Sequence, residues 1–342
     1  MMLTRSAEQE QFAASLHDML AAADVPAAAR QWSGGDQAGG LAVWRKLAGA
    51  GVTALAVPER WGGLAASPLD VVIACEELGH HALPGPVAES VAVVPWLITA
   101  LADDVPGERV ADRWLPGLAA GDLIATVALP PALPYAADAD AANLVLLGAG
   151  DVIWLAEPGS RHLSVDPARS LFEVSGHEVL ARGPGASAAV TQALQAGALA
   201  SAAQLLGAGR AMLAAGVRHA GQRIQFGRPV GAFQAVKHHL ADVAIGLEFA
   251  RPLLDAAARA LAAGDPSAAR DVSAAKVACT GAARRAARTA LQVHGAIGYT
   301  EEHDLHLWLM KVRALAGAWG SQAEHRAQVM AAIAADGGPS WS

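Results

Sequence analysis

The chain has 342 residues, of which 53% are hydrophobic and 17% charged, and its formal charge is -7. That composition excludes a disordered chain and supplies a large core, while the length allows two or three domains. The acidic balance and the lack of any basic run exclude nucleic acid and anionic membrane surfaces as expected partners.

The opening stretch "MMLTRSAEQEQFAASLHDML" carries charges inside its apolar periodicity, which predicts an amphipathic helix and no signal peptide. Further on, Gly, Pro or charge interrupts the apolar stretches before about 18 residues, so no membrane span is expected. Cys75 and Cys279 stand far apart in apolar helical contexts. They are expected to be buried thiols of a reducing cytoplasm, with no disulfide or metal role. Residues 1 to about 120 read as an N-terminal helical region. Within it, "VPERWGG" (57–63) is a loop punctuated by Pro and Gly. Asp70 to Leu78 has helical spacing, with Asp70 as a first-turn acid and Gly79 as the stop.

Between 121 and 188 the pattern changes. "LIATVAL", "NLVLLGAGDVIWLA", "HLSV" and "LFEVSGHEVLA" are short strand-like runs bounded by Gly, Asp and Pro, and they predict a small antiparallel β-domain. The Gly148/Gly150 pair resembles a dinucleotide fingerprint, but Ile153 stands where the third glycine belongs and another strand follows. A hairpin turn is the better reading.

From 189 to 342 the chain reads as a four-helix bundle domain. Val236, Leu240, Val243, Leu247, Ala250, Leu254, Ala257 and Leu261 form one apolar stripe of a long helix that Pro252 should kink. Ala268 to Leu291 is so rich in alanine that its neighbours must approach closely. His294-Gly295 stops it, with Gly295 placed for a left-handed cap. The fold class expected is therefore mainly α with a central β-domain: helices first, then strands, then a helical bundle.

Two loops carry the candidate chemistry. Arg223, Gln225, Phe226 and Gly227 offer a guanidinium fork and a glycine that lets backbone approach an anion. In "LQVHGAIGYTEEHDLHLWLMK", Gln292 precedes Gly295 and Gly298 and leaves main-chain N–H groups open. Together these segments resemble the acyl-CoA dehydrogenase family of flavoproteins. "RIQFGRPVGAFQAVKHHLADV" is similar to its Arg-x-(Thr/Gln)-Phe-Gly…Phe-Gln segment, and "QVHGAIGYTEEHDLHLWLMKVR" to its Gln-x-x-Gly-Gly-x-Gly-Tyr segment. "GVTALAVPERWGG…EELG" is similar to its N-terminal signature. The resemblance implies an acyl-CoA thioester as substrate, an electron-transfer acceptor and FAD shared across a subunit interface. It also implies that Arg223, Gln225, Phe226, Phe233, Gln234, Gln292, Gly295 and Ala296 hold the ADP half of a neighbour's cofactor. Ala296 replaces the family's second glycine, and its methyl group is expected to tighten the contact.

The sequence departs from the family where the reaction occurs. The family's α-proton is removed by a carboxylate that must reach the carbon. At the expected position, about ten residues past Leu309-Met310, stands Gly320. At the alternative position used by some members stands Gly197. Glu301 and Glu302 come too early, and Glu324, about a helical turn late, is the remaining candidate for the base. The stretch "TVALPPALPYAADADAANL" lacks the family's flavin-side Gly-Ser-Asp, and no Trp-Ile-(Thr/Ser) strand follows.

Three readings follow from this split. One is a base-less subunit of a hetero-oligomer, as in the family's heteromeric members, in which a catalytic acyl-CoA dehydrogenase subunit supplies the base. Another is a self-sufficient homo-oligomer that draws its base from Glu324 or Asp304. The third is a non-catalytic scaffold. Among smaller signals, His303 and His306 in "HDLH" read as a solvated or capping pair without a third metal ligand. Of His238 and His239, at most one is expected to face the core. Trp308 and Trp319 are expected near the cofactor cleft, with packing as their default role.

Overall fold

The computed structural model describes residues 4–102 and 110–335. Met1–Leu3 of the opening stretch and the end of the 189–342 region beyond residue 335 lie outside them. Helices come first: α1 (Ala7–Ala21), α2 (Val25–Ser33), α3 (Ala38–Gly49), α4 (Pro68–His80), α5 (Val94–Leu101) and α6 (Val110–Ala120). Strands follow, β1 (Ala125–Ala128), β2 (Ala136–Ala137), β3 (Leu144–Ala149), β4 (Val152–His162) and β5 (Leu171–Arg182). The rest is helical apart from one small hairpin: α7 (Pro184–Gln222), α8 (Gln234–Ala262), α9 (Ala268–His294), α10 (Leu305–Leu315) and α11 (Gln322–Ala335). The expected architecture, mainly α with a central β-region, is the one observed.

Local chemistry explains the helix ends. Ser6 caps α1, and its partner Gln9 closes a capping box. Ser67 and Asp70 do the same for α4, so Asp70 is the first-turn acid that the sequence suggested. The expected stop at Gly79 is not where the helix ends. Gly79 lies inside α4 because α7 crosses there, and a Cβ on Gly79 would stand 2.2 Å from the Gln204 carbonyl oxygen. Gly207 mirrors it, with a Cβ position 1.8 Å from the Glu76 carbonyl oxygen. The two glycines let the backbones of α4 and α7 touch.

At this crossing Glu76 is fully buried and meets Arg5 at 2.9 Å, Arg210 at 2.7 Å and Arg251 at 3.0 Å. Burial pushes its carboxyl up, but Arg251, Arg210 and Arg5 more than offset this and hold it below the usual range. The cluster ties the first helices to the bundle.

The sheet order is β1-β3-β4-β5-β2. A purely antiparallel sheet was expected, but β1 and β3 are parallel. The chain leaves β1, forms β2 on the opposite edge beside β5, and returns to β3, so no hairpin joins β1 to β3. The β3–β4 hairpin turns at Gly150 with φ 62°, as expected from its sequence. "HLSV" contributes only His162 to a strand. After it, the Ser164 hydroxyl accepts from Asp166 N–H and the Asp166 carboxylate from Ala168 N–H, local bonds that compete with strand pairing.

In the bundle α7 packs on α4, α8 and α9, and α11 packs on α9. α8 is continuous through Pro252. Val243, Leu247, Ala250, Leu254 and Ala257 of its stripe are buried, while the end positions Val236, Leu240 and Leu261 are half-buried. α7 corrects one sequence expectation: by length and composition it could cross a bilayer. Its most apolar window is 78% buried within the fold, at the centre of the bundle. Both cysteines are buried and free, and burial pushes the Cys75 thiol up to about 12.

Candidate functional site

One end of the bundle presents an open edge. α7 ends at Gln222, and the chain forms a two-stranded hairpin of β6 (Ile224–Gln225) and β7 (Arg228–Pro229). Phe226 and Gly227 form its tip with φ of 53° and 79°, the twist that a two-residue hairpin loop prefers. Phe226 is 90% exposed, and its ring stands edge-on to Phe233 at 6.2 Å. The Arg228 guanidinium lies over the Phe233 ring at 4.2 Å. Arg223, Gln225 and Gln234 are exposed.

The turn after α9 emerges at the same end. The His219 and His294 rings, near the ends of α7 and α9, are 4.3 Å apart. Gln292 and Val230 line one cavity of about 440 Å³, together with His239, Arg288 and Thr289. Gly295 has φ 65° but ψ −139°, so its φ is positive as expected while its conformation is not the left-handed helical cap. Gly295 and Ala296 are exposed at the start of a 3-10 turn. A Cβ on Gly227 or Gly295 would meet nothing within 4 Å. The sequence reading missed Arg288 and His239 at this cavity. Arg288 stands one helical turn before Gln292 and on its face, which was the available signal. His238 and His239 are both exposed, so neither faces the core.

A second cavity, of about 380 Å³, lies between α7, α9, the start of α11 and the β1–β2 connection, with Leu194, Ser273, Trp319, Gly320, Glu324 and His325 on its wall. The fold brings the two expected base positions to this region, and neither has room for a side chain. A Cβ on Gly197 would stand 2.1 Å from the Trp319 ring, and one on Gly320 would stand 2.6 Å from His325 Nε2. Trp319 has φ 59°, and nearby the buried Glu89 carboxyl has its pKa raised by burial, with Arg169 opposing the shift. His325 Nε2 donates to the Trp319 carbonyl oxygen at 2.9 Å, and Nδ1 lies 3.1 Å from Ser273 Oγ. Burial lowers the His325 pKa, which favours the neutral ring.

Glu324 lines this cavity as a helix cap. Its carboxylate accepts from Ser321 N–H at 2.7 Å, and its own N–H donates to Ser321 Oγ at 3.2 Å, a capping box for α11. The backbone bond from Ser321 holds its pKa below the ordinary value, away from the range that suits a general base near neutrality. Asp304 pairs instead with Arg30 on the surface. Trp319 is at the cavity, whereas Trp308 donates its indole N–H to the His80 carbonyl oxygen at 2.8 Å, away from it. His303 Nδ1 accepts from Leu305 N–H and His306 Nδ1 contacts the His303 carbonyl oxygen, so the pair serves the start of α10. In the stretch without Gly-Ser-Asp, the Asp138 carboxylate turns inward and accepts from Trp32 Nε1–H and Ser170 N–H. Burial pushes it up to about 7.

The two ends fit a dinucleotide cofactor differently. The open edge fits a pyrophosphate and adenosine offered from outside, because Arg223, Gln225 and Gln292 are exposed donors beside glycines with free space. The cavity does not fit the reacting half, because its base positions are filled by Trp319 and His325.

Comparison with known proteins resolves the family. The model of the acyl-CoA dehydrogenase C-terminal domain matches residues 183–334, and that of the N-terminal domain matches residues 6–122. The acyl-CoA dehydrogenase IpdE2 of Mycobacterium tuberculosis is 29% identical over 92% of this chain and 93% of its own length. The structure of butyryl-CoA dehydrogenase from Megasphaera elsdenii superposes with a TM-score of 0.84 at 20% identity, covering 98% of this chain and 100% of that one. A chain of the ChsE4-ChsE5 complex from Mycobacterium tuberculosis gives 0.81 at 23% identity, covering 98% and 99%. With both family domains matched in order and the fold shared end to end, this chain belongs to the acyl-CoA dehydrogenase family.

Proposed function

We propose that this chain is the base-less subunit of a hetero-oligomeric, FAD-dependent acyl-CoA dehydrogenase. Its open edge holds the nucleotide end of an FAD whose ring, with the catalytic carboxylate, belongs to a partner subunit of the same family. The observation that carries the reading is the Trp319 indole over Gly197, which leaves no room for the acid that α-proton removal requires. Flavin, when bound in the assembly, supplies the hydride acceptor for α,β-dehydrogenation of a thioester. This chain contributes Arg223, Gln225, Phe226 and Gln292, with Phe233 and Gln234 at the start of α8 beneath the hairpin.

Its relatives support this placement. One matched structure is named as a complex of two chains, and the relative covered nearly end to end is a mycobacterial acyl-CoA dehydrogenase. We assign the substrate to fatty acyl or steroid side-chain thioesters, the compartment to the cytoplasm, and the working divisions to 1–120, 121–188 and 189–342.

The test is the flavin-to-protein ratio of the chain purified alone and after co-expression with each acyl-CoA dehydrogenase of the organism that carries the catalytic carboxylate. The chain alone is expected to be colourless and inactive, and the co-expressed assembly yellow and active. A yellow, active homo-oligomer would establish the self-sufficient reading instead. A chain that stays colourless with every partner would establish the scaffold.

A further inference from the structure

Three histidines meet on the far side of the first helices, away from both cavities. Glu77, His80 and His81 stand at the C-terminal end of α4, at spacings of three and four residues that put them on one face. His17 of α1 faces them. The His17, His80 and His81 rings are 4.8 to 5.2 Å apart by centroid, and one ligating nitrogen from each lies within 4.8 Å of the others. His17 Nδ1 is 3.0 Å from Glu77 Oε2 and 3.2 Å from His81 Nε2. Tetrahedral zinc, with bonds of about 2.0–2.1 Å, sets its ligand atoms roughly 3.3 Å apart, so the His17–Glu77 and His17–His81 pairs are already near that spacing, while the His80 nitrogen, within 4.8 Å of the other two histidines, has only a short distance to close.

Hydrogen bonding satisfies the cluster only in part. A single proton on His17 Nδ1 can at best be shared between Glu77 Oε2 and His81 Nε2. If His81 donates instead, the His17 lone pair faces a carboxylate. His80 Nδ1 is buried without a hydrogen-bond partner among the described residues. A cation accepts all of these lone pairs at once. Glu77 is prepared for it, because Arg210 engages Oε1 at 2.8 Å and leaves Oε2 to the histidines. The Arg210 charge is itself shared between Glu76 and Glu77.

We propose that His17, His80, His81 and Glu77 form a binding site for a divalent transition-metal ion of the zinc class, which ties α1 to α4. Three imidazoles and a carboxylate make a closed set, with no position left for a substrate, so the ion is structural. The sequence reading weighed only His303 and His306 for a metal; His17 stands 60 residues before Glu77 and 64 before His81, so no local spacing pointed to this group.

The test uses the untagged full-length chain, stripped with a chelator and titrated with Co²⁺ and then Zn²⁺. The expected result is one ion per chain, with visible d–d bands of tetrahedral cobalt that Zn²⁺ bleaches, and a raised Tm with Zn²⁺. His17→Gln, at a partly exposed site that tolerates the change, and His81→Ala should each weaken binding at least about tenfold. His238→Ala, exposed and remote, should leave it unchanged. The metal-free Tm of each variant, equal to that of the metal-free parent, separates lost ligation from lost folding. Absence of the cobalt bands in the parent would overturn the proposal. So would bands that survive both cluster substitutions, which would mean adventitious surface binding.

Discussion

Gly227 and Gly295 face open space, whereas Gly197 and Gly320 face the rings of Trp319 and His325. The same residue type thus marks opposite situations at the two ends of the bundle. At the open edge, glycine leaves room for something from outside the chain. In the cavity, glycine is what remains when a neighbouring ring takes the space of a side chain. A chain can keep the outward half of a shared site while packing shut the inward half. This is physically easy, because the outward contacts are exposed and carry little of the fold's stability, whereas the inward positions are core.

The largest effect is expected where that packing is broken. Gly197→Ala drives a methyl group into the indole of a residue that is 3% exposed, and overpacking of this kind costs about 3 kcal/mol. Trp319→Ala alone leaves a cavity and costs about 3–5 kcal/mol. Combining the two relieves the clash, so the double variant should lose clearly less than the sum. Urea unfolding of the four proteins measures the coupling. Additive losses would mean that Trp319 does not occupy the Gly197 position in solution.

A second effect belongs to the filled end and is read by pH. Beneath the filled cavity, Lys276 is buried, and its ammonium donates to Ser201 Oγ and to the Leu315 carbonyl oxygen. Burial lowers its pKa to about 7 from 10.5. A depressed folded-state value favours the neutral amine. The group's contribution is therefore fully present above the unfolded pKa and is lost as pH falls toward 7. Between pH 10 and 7 the slope reaches at most about 1.4 kcal/mol per pH unit. Lys276→Met should flatten this slope and gain on the parent protein as pH falls.

The same contrast explains what could be read from the sequence. The helix–sheet–helix order was legible because periodicity reports burial, and the stripe from Val243 to Ala257 is buried as its spacing suggests. The open edge was legible because its residues are contiguous in two short segments. The filled cavity was not. The sequence showed glycine at 197 and 320, but not that Trp319 and His325 sit on them, since those contacts cross between helices. The parallel β1–β3 pair was hidden because it depends on the excursion through β2. Gly79 read as a stop because its close approach to Gln204 is a tertiary fact.

A smaller change addresses the one acid on the cavity wall. Glu324→Gln keeps an acceptor for Ser321 N–H, and glutamine serves in a capping box, so stability should fall by under about 1 kcal/mol. If Glu324 only caps α11, the co-expressed assembly keeps its turnover with this variant. A loss of several orders of magnitude in kcat with unchanged flavin content would make Glu324 the base and remove the contrast between the two ends.

The smallest change in stability belongs to the open edge. Arg223→Ala removes an exposed side chain, and the free chain should keep its Tm and unfold within about 0.5 kcal/mol of the parent. On the proposed function, in which the guanidinium meets a phosphate of a cofactor held by another subunit, the effect should appear only in the assembly, as reduced FAD retention after gel filtration at raised salt. Arg228 makes a useful control, since its guanidinium already lies over Phe233. Arg228→Ala should disturb the hairpin's aromatic packing more and flavin retention less. Equal flavin loss in both variants would show that the hairpin acts through its shape. Undiminished flavin in Arg223→Ala would mean that this edge, open as it is, faces something other than the cofactor.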